Sequence, residues 1–252
     1  MGIEGHRVLV VGASSGIGRS LGLQAAQLGA RVAFAARRAE LVESAATEAG
    51  GGALGLVCDV RDPDACADVV ARTVDELGGL DALVYSTAVD RLVRMAEADA
   101  DVWRATFETN VFGAGLVTSA ALPHLREAGG RGVYISASSI DRPLPGMGVY
   151  AASKYALETM VKGFRAEHPD LALAVVRVGS ALGTGVTDSW DRDLLIELSA
   201  QWQALGYVHD NGPGGPMTVD DAAAAVLSVL TSPVWVREVT AVSDPGRDNA
   251  AL

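Results

Sequence analysis

The run Val8-Leu9-Val10-Val11-Gly12-Ala13-Ser14-Ser15-Gly16-Ile17-Gly18-Arg19-Ser20-Leu21-Gly22 sets the architecture of this 252-residue chain. Four consecutive apolar residues that end at a glycine have the length and character of a strand buried on both faces. From Gly16 to Leu28 apolar residues return at helical spacing, so a tight turn must join the strand to a helix. Glycines spaced G-x-x-x-G-x-G let the backbone approach a ligand closely, and the unpaired N–H groups of the first helical turn attract phosphate. Gly12, Ser14, Ser15, Gly16, Ile17 and Gly18 are therefore candidate contacts for a pyrophosphate.

Working outward, the alternation persists. Strands are expected at about 31–35, 54–58, 80–85, 132–136, 171–178 and 236–242, and helices at about 39–49, 62–77, 99–128, 150–167, 191–205 and 219–230. Strict βαβ order implies right-handed crossovers, hence an α/β fold: one domain over 1–252, a Rossmann-like doubly wound parallel sheet of about seven strands with helices on both faces. Ligands of such a sheet bind outside the carboxyl ends of its strands. The segment at about 180–217 breaks the rhythm, and Trp190, Trp202 and Tyr207 within it lead us to expect an ordered flap over a substrate pocket.

Hydrophobic residues are 49% of the chain and charged residues 20%, the balance of a globule with a substantial core. Twenty basic against 31 acidic residues give a formal charge of −11, the wrong sign for tracking nucleic acid or an anionic membrane. No apolar run approaches the roughly 18 residues of a membrane span, and the N-terminal stretch lacks a secretory pattern. With only Cys58 and Cys66 present, reduced thiols and a cytoplasmic location are expected. His6, His124, His168 and His209 are scattered without metal-ligand spacing, so no bound metal is expected.

The second strand ends Phe34-Ala35-Ala36-Arg37-Arg38, where a dinucleotide site selective for an unphosphorylated ribose would carry an acid. Arginine pairs bidentately with phosphate, so Arg37 and Arg38 favour NADP(H) over NAD(H). Asp59 and Val60, past the third strand, are expected beside the adenine. Tyr150-Ala151-Ala152-Ser153-Lys154 puts a phenol and an ammonium at i and i+4 on one helix face. A phenol with a pKa near 10 is a poor base at neutral pH, and a neighbouring cation is expected to favour its ionised form.

The glycine turn, Tyr150-x-x-x-Lys154 and the alternation between them resemble the short-chain dehydrogenase/reductase family over nearly the whole chain. The resemblance implies that Tyr150 exchanges a proton with an alcohol or ketone, that Lys154 binds the nicotinamide ribose, that a serine holds the substrate oxygen, and that Asn110 supports a water relay. It further implies cofactor contacts at Ala88, Gly179 and Thr184, and a homodimer or homotetramer paired through the long middle helix and the Tyr-Lys helix. Leu116, Ala120, Leu157, Met160, Val161 and Phe164 are candidates for that face, core packing being the alternative.

Three positions depart from the family pattern. Asn-Asn-Ala-Gly after the fourth strand is here Tyr85-Ser86-Thr87-Ala88, and the Pro-Gly after the sixth is Val178-Gly179. The serine usually found 13 residues before the tyrosine is Ala137; Ser138 is the expected substitute, with Ser139 next and Ser136 on the other side. The expected activity is hydride transfer between nicotinamide and a small carbonyl or alcohol substrate. Pocket walls at 89–95, 141–147 and 184–207 are mostly apolar and point to a hydrophobic ketone. The alternatives are a dinucleotide-binding regulatory or scaffold protein of the same fold, and non-redox chemistry such as dehydration or epimerisation.

Overall fold

The structure is a computed structural model that describes residues 2–185, 187, 189–207 and 215–243; positions 186, 188 and 208–214 of the expected flap lie outside the described residues. Strand β1 (Arg7–Val11) carries the opening apolar run, and alternate side chains serve two cores. Val8 and Val10 face one, with Leu21 and Ala25 of α1 (Gly16–Gln27), Val42 and Ala45 of α2 (Ala39–Ala49) and the apolar face of α8 (Val219–Thr231). Leu9 and Val11 face the other, built from α3 (Pro63–Leu77), α5 (Gly113–Ala128) and α6 (Gly148–Glu167). Burial on both faces explains why these strands read as unbroken apolar runs rather than as alternating ones.

Strands β2 (Arg31–Ala36), β3 (Leu54–Val57), β4 (Ala82–Tyr85), β5 (Arg131–Ala137), β6 (Ala172–Val178) and β9 (Glu238–Ala241) complete a parallel sheet of order β3-β2-β1-β4-β5-β6-β9. The strand order reverses between β1 and β4, so the crevice above their carboxyl ends is the topological switch point at which such sheets take ligands. Helix starts follow the chain's own signals. Asp62 accepts from the amides of Asp64 and Ala65 with Pro63 at the first helical position of α3, and Asp191 accepts from Leu194 N to begin α7 (Arg192–Ala204).

The expected helix at 99–128 is not continuous. It runs as α4 (Ala100–Phe107), a π turn (Glu108–Phe112) and α5. Tyr85 gives one physical reason: its phenol, fully buried at the end of β4, donates to the carbonyl of Thr109 at 2.5 Å and draws one helical carbonyl towards the sheet. The flap contains a short parallel pair, β7 (Ala181–Leu182) with β8 (Met217–Thr218), and α7. Trp202 donates from Nε1 to Pro145 O at 2.9 Å and packs edge-on against Trp190 at 6.3 Å between ring centroids. The Arg142 guanidinium stacks over Tyr207. These contacts tie the described part of the flap to the 141–147 segment.

Candidate functional site

The glycine turn lies at the switch point. Gly12 has φ +93°, and a Cβ there would sit 2.6 Å from Thr87 N, so only glycine lets β1 leave the sheet this close to the β4 loop. Gly16 has φ +57°, and a Cβ would stand 2.9 Å from Thr184 O, which shows Thr184 closing on the turn from the opposite side. Ser15 caps α1 with extended backbone and no side-chain hydrogen bond to the helix amides, and no acidic residue occupies the first turn. The N–H groups of Gly16, Ile17 and Gly18 thus open a positive helix end towards the cleft, a cradle that fits a pyrophosphate.

The two arginines behave differently. Arg38 Nη2 donates to Ser14 Oγ at 2.8 Å and Ser15 Oγ at 2.9 Å, which holds its guanidinium at the rim of the glycine turn. Arg37 is exposed, and its charge helps stabilise the Asp59 carboxylate. Asp59 is engaged within its own loop. Arg61 grips both of its oxygens at 2.6–3.2 Å and holds its pKa down to about 2, so its acceptor capacity is largely committed within the loop. Val60 is buried beneath this loop, Ala88 is half-buried next to Val89, and Gly179 N donates to Ala241 O at 2.8 Å at the end of β6.

Beyond the turn, α6 presents Tyr150 and Lys154. Lys154 is 2% exposed, and its Nζ donates to Ile135 O at 2.8 Å on β5. Burial lowers its pKa to about 8, with Glu158 and Asp90 acting in the opposite sense. The ammonium lies 5.8 Å from the Tyr150 ring centre. Against the expectation that Lys154 would favour the ionised phenol, burial first and the Asp90 charge second push the Tyr150 pKa above the ordinary value, although the residue keeps some surface. In this arrangement the phenol is neutral, the form that donates a proton.

Asn110 sits in the π turn, 0% exposed. Its Oδ1 accepts from Val89 N at 2.8 Å, and its Nδ2 donates to Val89 O at 3.0 Å and Ser153 Oγ at 2.9 Å. Ser153 Oγ in turn donates to Tyr150 O at 2.7 Å. Both amide hydrogens of Asn110 are engaged by protein, so its side chain acts as a strap joining the β4 loop to the first turn of α6. The serines also separate. Ser136 is 2% exposed with an Oγ that has no partner among the described residues, sealed inside β5; Ser138 and Ser139 are half-buried in the 3₁₀ turn that follows the strand.

Sequence reasoning did not single out Asp90, Ser153 or the lock made by Tyr85. Asp90 lies within the expected pocket wall at 89–95, and a carboxylate between apolar Val89 and Leu92 was the available signal. It is 5% exposed, neither oxygen has a hydrogen bond of normal geometry, and burial raises its pKa to about 7.

Comparison with known proteins agrees with this arrangement. The family model described as short chain dehydrogenase matches residues 6–193. An 11-beta-hydroxysteroid dehydrogenase A of Sesamum indicum is 35% identical over 183 residues, which cover 70% of this chain and 53% of that protein. The 11-beta-hydroxysteroid dehydrogenase 1A of Arabidopsis thaliana is 32% identical over 246 residues, covering 93% of this chain and 70% of the relative. The match therefore spans about half of the sesame protein and more of the other. Among solved structures, a short chain dehydrogenase/reductase family protein superposes with a TM-score of 0.79 at 27% identity, covering 96% of this chain and 97% of that one. An alcohol dehydrogenase of Thermococcus sibiricus shares the fold with a TM-score of 0.81 at 22% identity, over 95% of this chain and 97% of that one. With the glycine turn at the switch point and Tyr150 and Lys154 on one helix beside it, the chain belongs to the short-chain dehydrogenase family of oxidoreductases.

Proposed function

We propose that the protein is a cytoplasmic NADP(H)-dependent oxidoreductase that moves a hydride between nicotinamide and a carbonyl or secondary alcohol of a small substrate. The observation that carries this reading is the meeting of an open helix end at the glycine turn with the Tyr150 phenol beside the buried Lys154 ammonium, 5.8 Å from its ring centre. Nicotinamide, when bound, supplies or accepts the hydride. Tyr150 gives its phenolic proton to the carbonyl oxygen as that oxygen gains charge, and Ser138 donates a hydrogen bond to the same atom. Lys154 supplies positive potential from beneath. The Asn110 side chain fixes the spacing of the β4 loop and α6.

Phosphate selectivity falls chiefly to Arg38, because its guanidinium stands at the turn, whereas Arg37 is exposed and acts on Asp59 by its charge. A charge-assisted contact contributes about 1.5–3 kcal/mol, or roughly ten- to a hundredfold in affinity. Fluorescence titration should give tighter NADPH than NADH binding in the wild type, with the preference collapsing in Arg38→Ala and only weakening in Arg37→Ala. Equal affinities in the wild type would remove the NADP(H) assignment. A carbonyl panel followed by NADPH absorbance tests the activity itself, and binding without turnover of any carbonyl would instead favour the regulatory or scaffold reading.

The proposed assembly is a homodimer or homotetramer paired through α5 and α6. Leu157 and Val161 are buried in the protomer core and drop out of the expected face; Leu116, Ala120, Met160 and Phe164 remain half-buried, with Phe112 and Tyr155 more exposed. Light scattering at micromolar concentration should show at least a dimer, and a monomer would overturn this assembly.

A further inference from the structure

Asp90 is out of place for a wall that otherwise reads as apolar. Its carboxyl is buried, neither oxygen has a hydrogen bond of normal geometry among the described residues, the amide of Arg91 being the one donor that acts on it, and its backbone is pinned, since Asn110 clamps the preceding residue Val89 by both N–H and C=O. A buried acid left unsatisfied costs stability, so a fold has no structural reason to hold one so firmly. Its charge acts on Tyr150 and Lys154 alike, which places it within electrostatic reach of the reacting groups. A second buried polar atom without a partner stands nearby in the flap: Trp190 Nε1, whose neighbour Ser189 donates from Oγ to Asp90 O at a long 3.4 Å. An acceptor pair and a lone donor thus lie on two segments that touch where Ser189 meets Asp90.

We propose that Asp90, assisted by Trp190, binds a hydroxyl group of the substrate close to the reacting carbonyl, so that the preferred substrates are hydroxy-ketones rather than plain apolar ketones. A hydroxyl is donor and acceptor at once: its O–H donates to Asp90, and its oxygen accepts from the Trp190 N–H. An apolar substituent would leave both protein groups unpaired in a closed cleft, and sites built to bind a hydroxyl reject the analogue that lacks it. This inference rests on the oxidoreductase reading above and refines its substrate class. It replaces the expectation of a uniformly apolar pocket.

The test compares a ketone with its hydroxy derivative in the wild type, Asp90→Asn and Trp190→Phe, each with NADPH. In the wild type the hydroxy-ketone should have the higher kcat/KM by about ten- to a hundredfold, mainly through KM. Asp90→Asn should remove most of that preference, read as the ratio of the two kcat/KM values within each protein so that any effect on Tyr150 or Lys154 common to both ketones cancels; Trp190→Phe should reduce the preference several-fold. Because a buried unpartnered acid is removed, Asp90→Asn should melt no lower than the wild type. Asp90→Ser serves the same comparison if the Asn protein misfolds. A preference unchanged in Asp90→Asn, or no preference in the wild type, would overturn the proposal. If NADPH binds but neither ketone is reduced, the oxidoreductase reading fails separately. Calorimetric binding of the hydroxy-ketone to NADP-loaded protein then decides the role of Asp90: binding lost in Asp90→Asn supports it, and equal binding overturns it.

Discussion

Tyr150→Phe should lower carbonyl reduction by about 10²–10⁴-fold while NADPH affinity and melting temperature stay close to wild type. The magnitude is that of removing a positioned general acid. The hydroxyl has no hydrogen-bond partner among the described residues, so its loss leaves no protein group orphaned, and the ring remains to pack on α6. Burial and the Asp90 charge hold the phenol above its ordinary pKa, so Tyr150 stays protonated at neutral pH. Lys154 has the opposite shift. Its folded-state pKa is depressed to about 8, so its positive charge is present below that pH and is lost as pH rises through it. The kcat/KM for reduction, which reports the free enzyme, should therefore fall as pH passes about 8, before Tyr150 itself ionises. A Tyr150→Phe protein that keeps wild-type turnover would remove Tyr150 from the proton transfer.

Ser138→Ala should cost about 10²–10³ in turnover, the usual loss for one hydrogen-bond donor to a developing oxyanion, with NADPH affinity hardly changed. The structure separates the candidates by access rather than by spacing. Ser136 Oγ is sealed within β5, so Ser136→Ala should leave turnover within a few-fold, whereas Ser138 opens the 3₁₀ turn directly after the strand. Single-turnover hydride transfer in Ser136→Ala, Ser138→Ala and Ser139→Ala, with NADPH binding measured separately, distinguishes a catalytic loss from a cofactor-free protein. If Ser139→Ala carries the whole loss and Ser138→Ala none, the donor is one residue further along the turn. If none of the three matters, Tyr150 alone polarises the carbonyl.

Legibility in the sequence followed the range of the interaction. The strand-turn-helix units, the glycine turn and the i, i+4 placement of Tyr150 and Lys154 depend on backbone periodicity and neighbours a few residues apart, and all three stand in the structure where the sequence placed them. The continuous run at 99–128 misled because helical periodicity survives a π turn: one inserted residue shifts the face, and the pull on Thr109 comes from Tyr85, 24 positions away in sequence.

What the sequence determined by itself was the order of elements, the two-faced burial of the parallel strands, the family and the placement of Tyr150 and Lys154 on one helix face. Tertiary structure decided how those groups are charged and what they touch. Lys154 beside Tyr150 reads on paper as a cation that ionises a phenol, but desolvation depends on what is packed around both groups, and here it lowers the ammonium and raises the phenol. The choice between Arg37 and Arg38, the engagement of Asp59 by Arg61 and the strap from Asn110 to Val89 and Ser153 likewise depend on loops meeting across the switch point. Asp90 shows the same physics most sharply: as a letter it is an ordinary solvated acid, and only the closing of the β4 loop, α6 and the flap around it makes it a buried carboxyl without a partner.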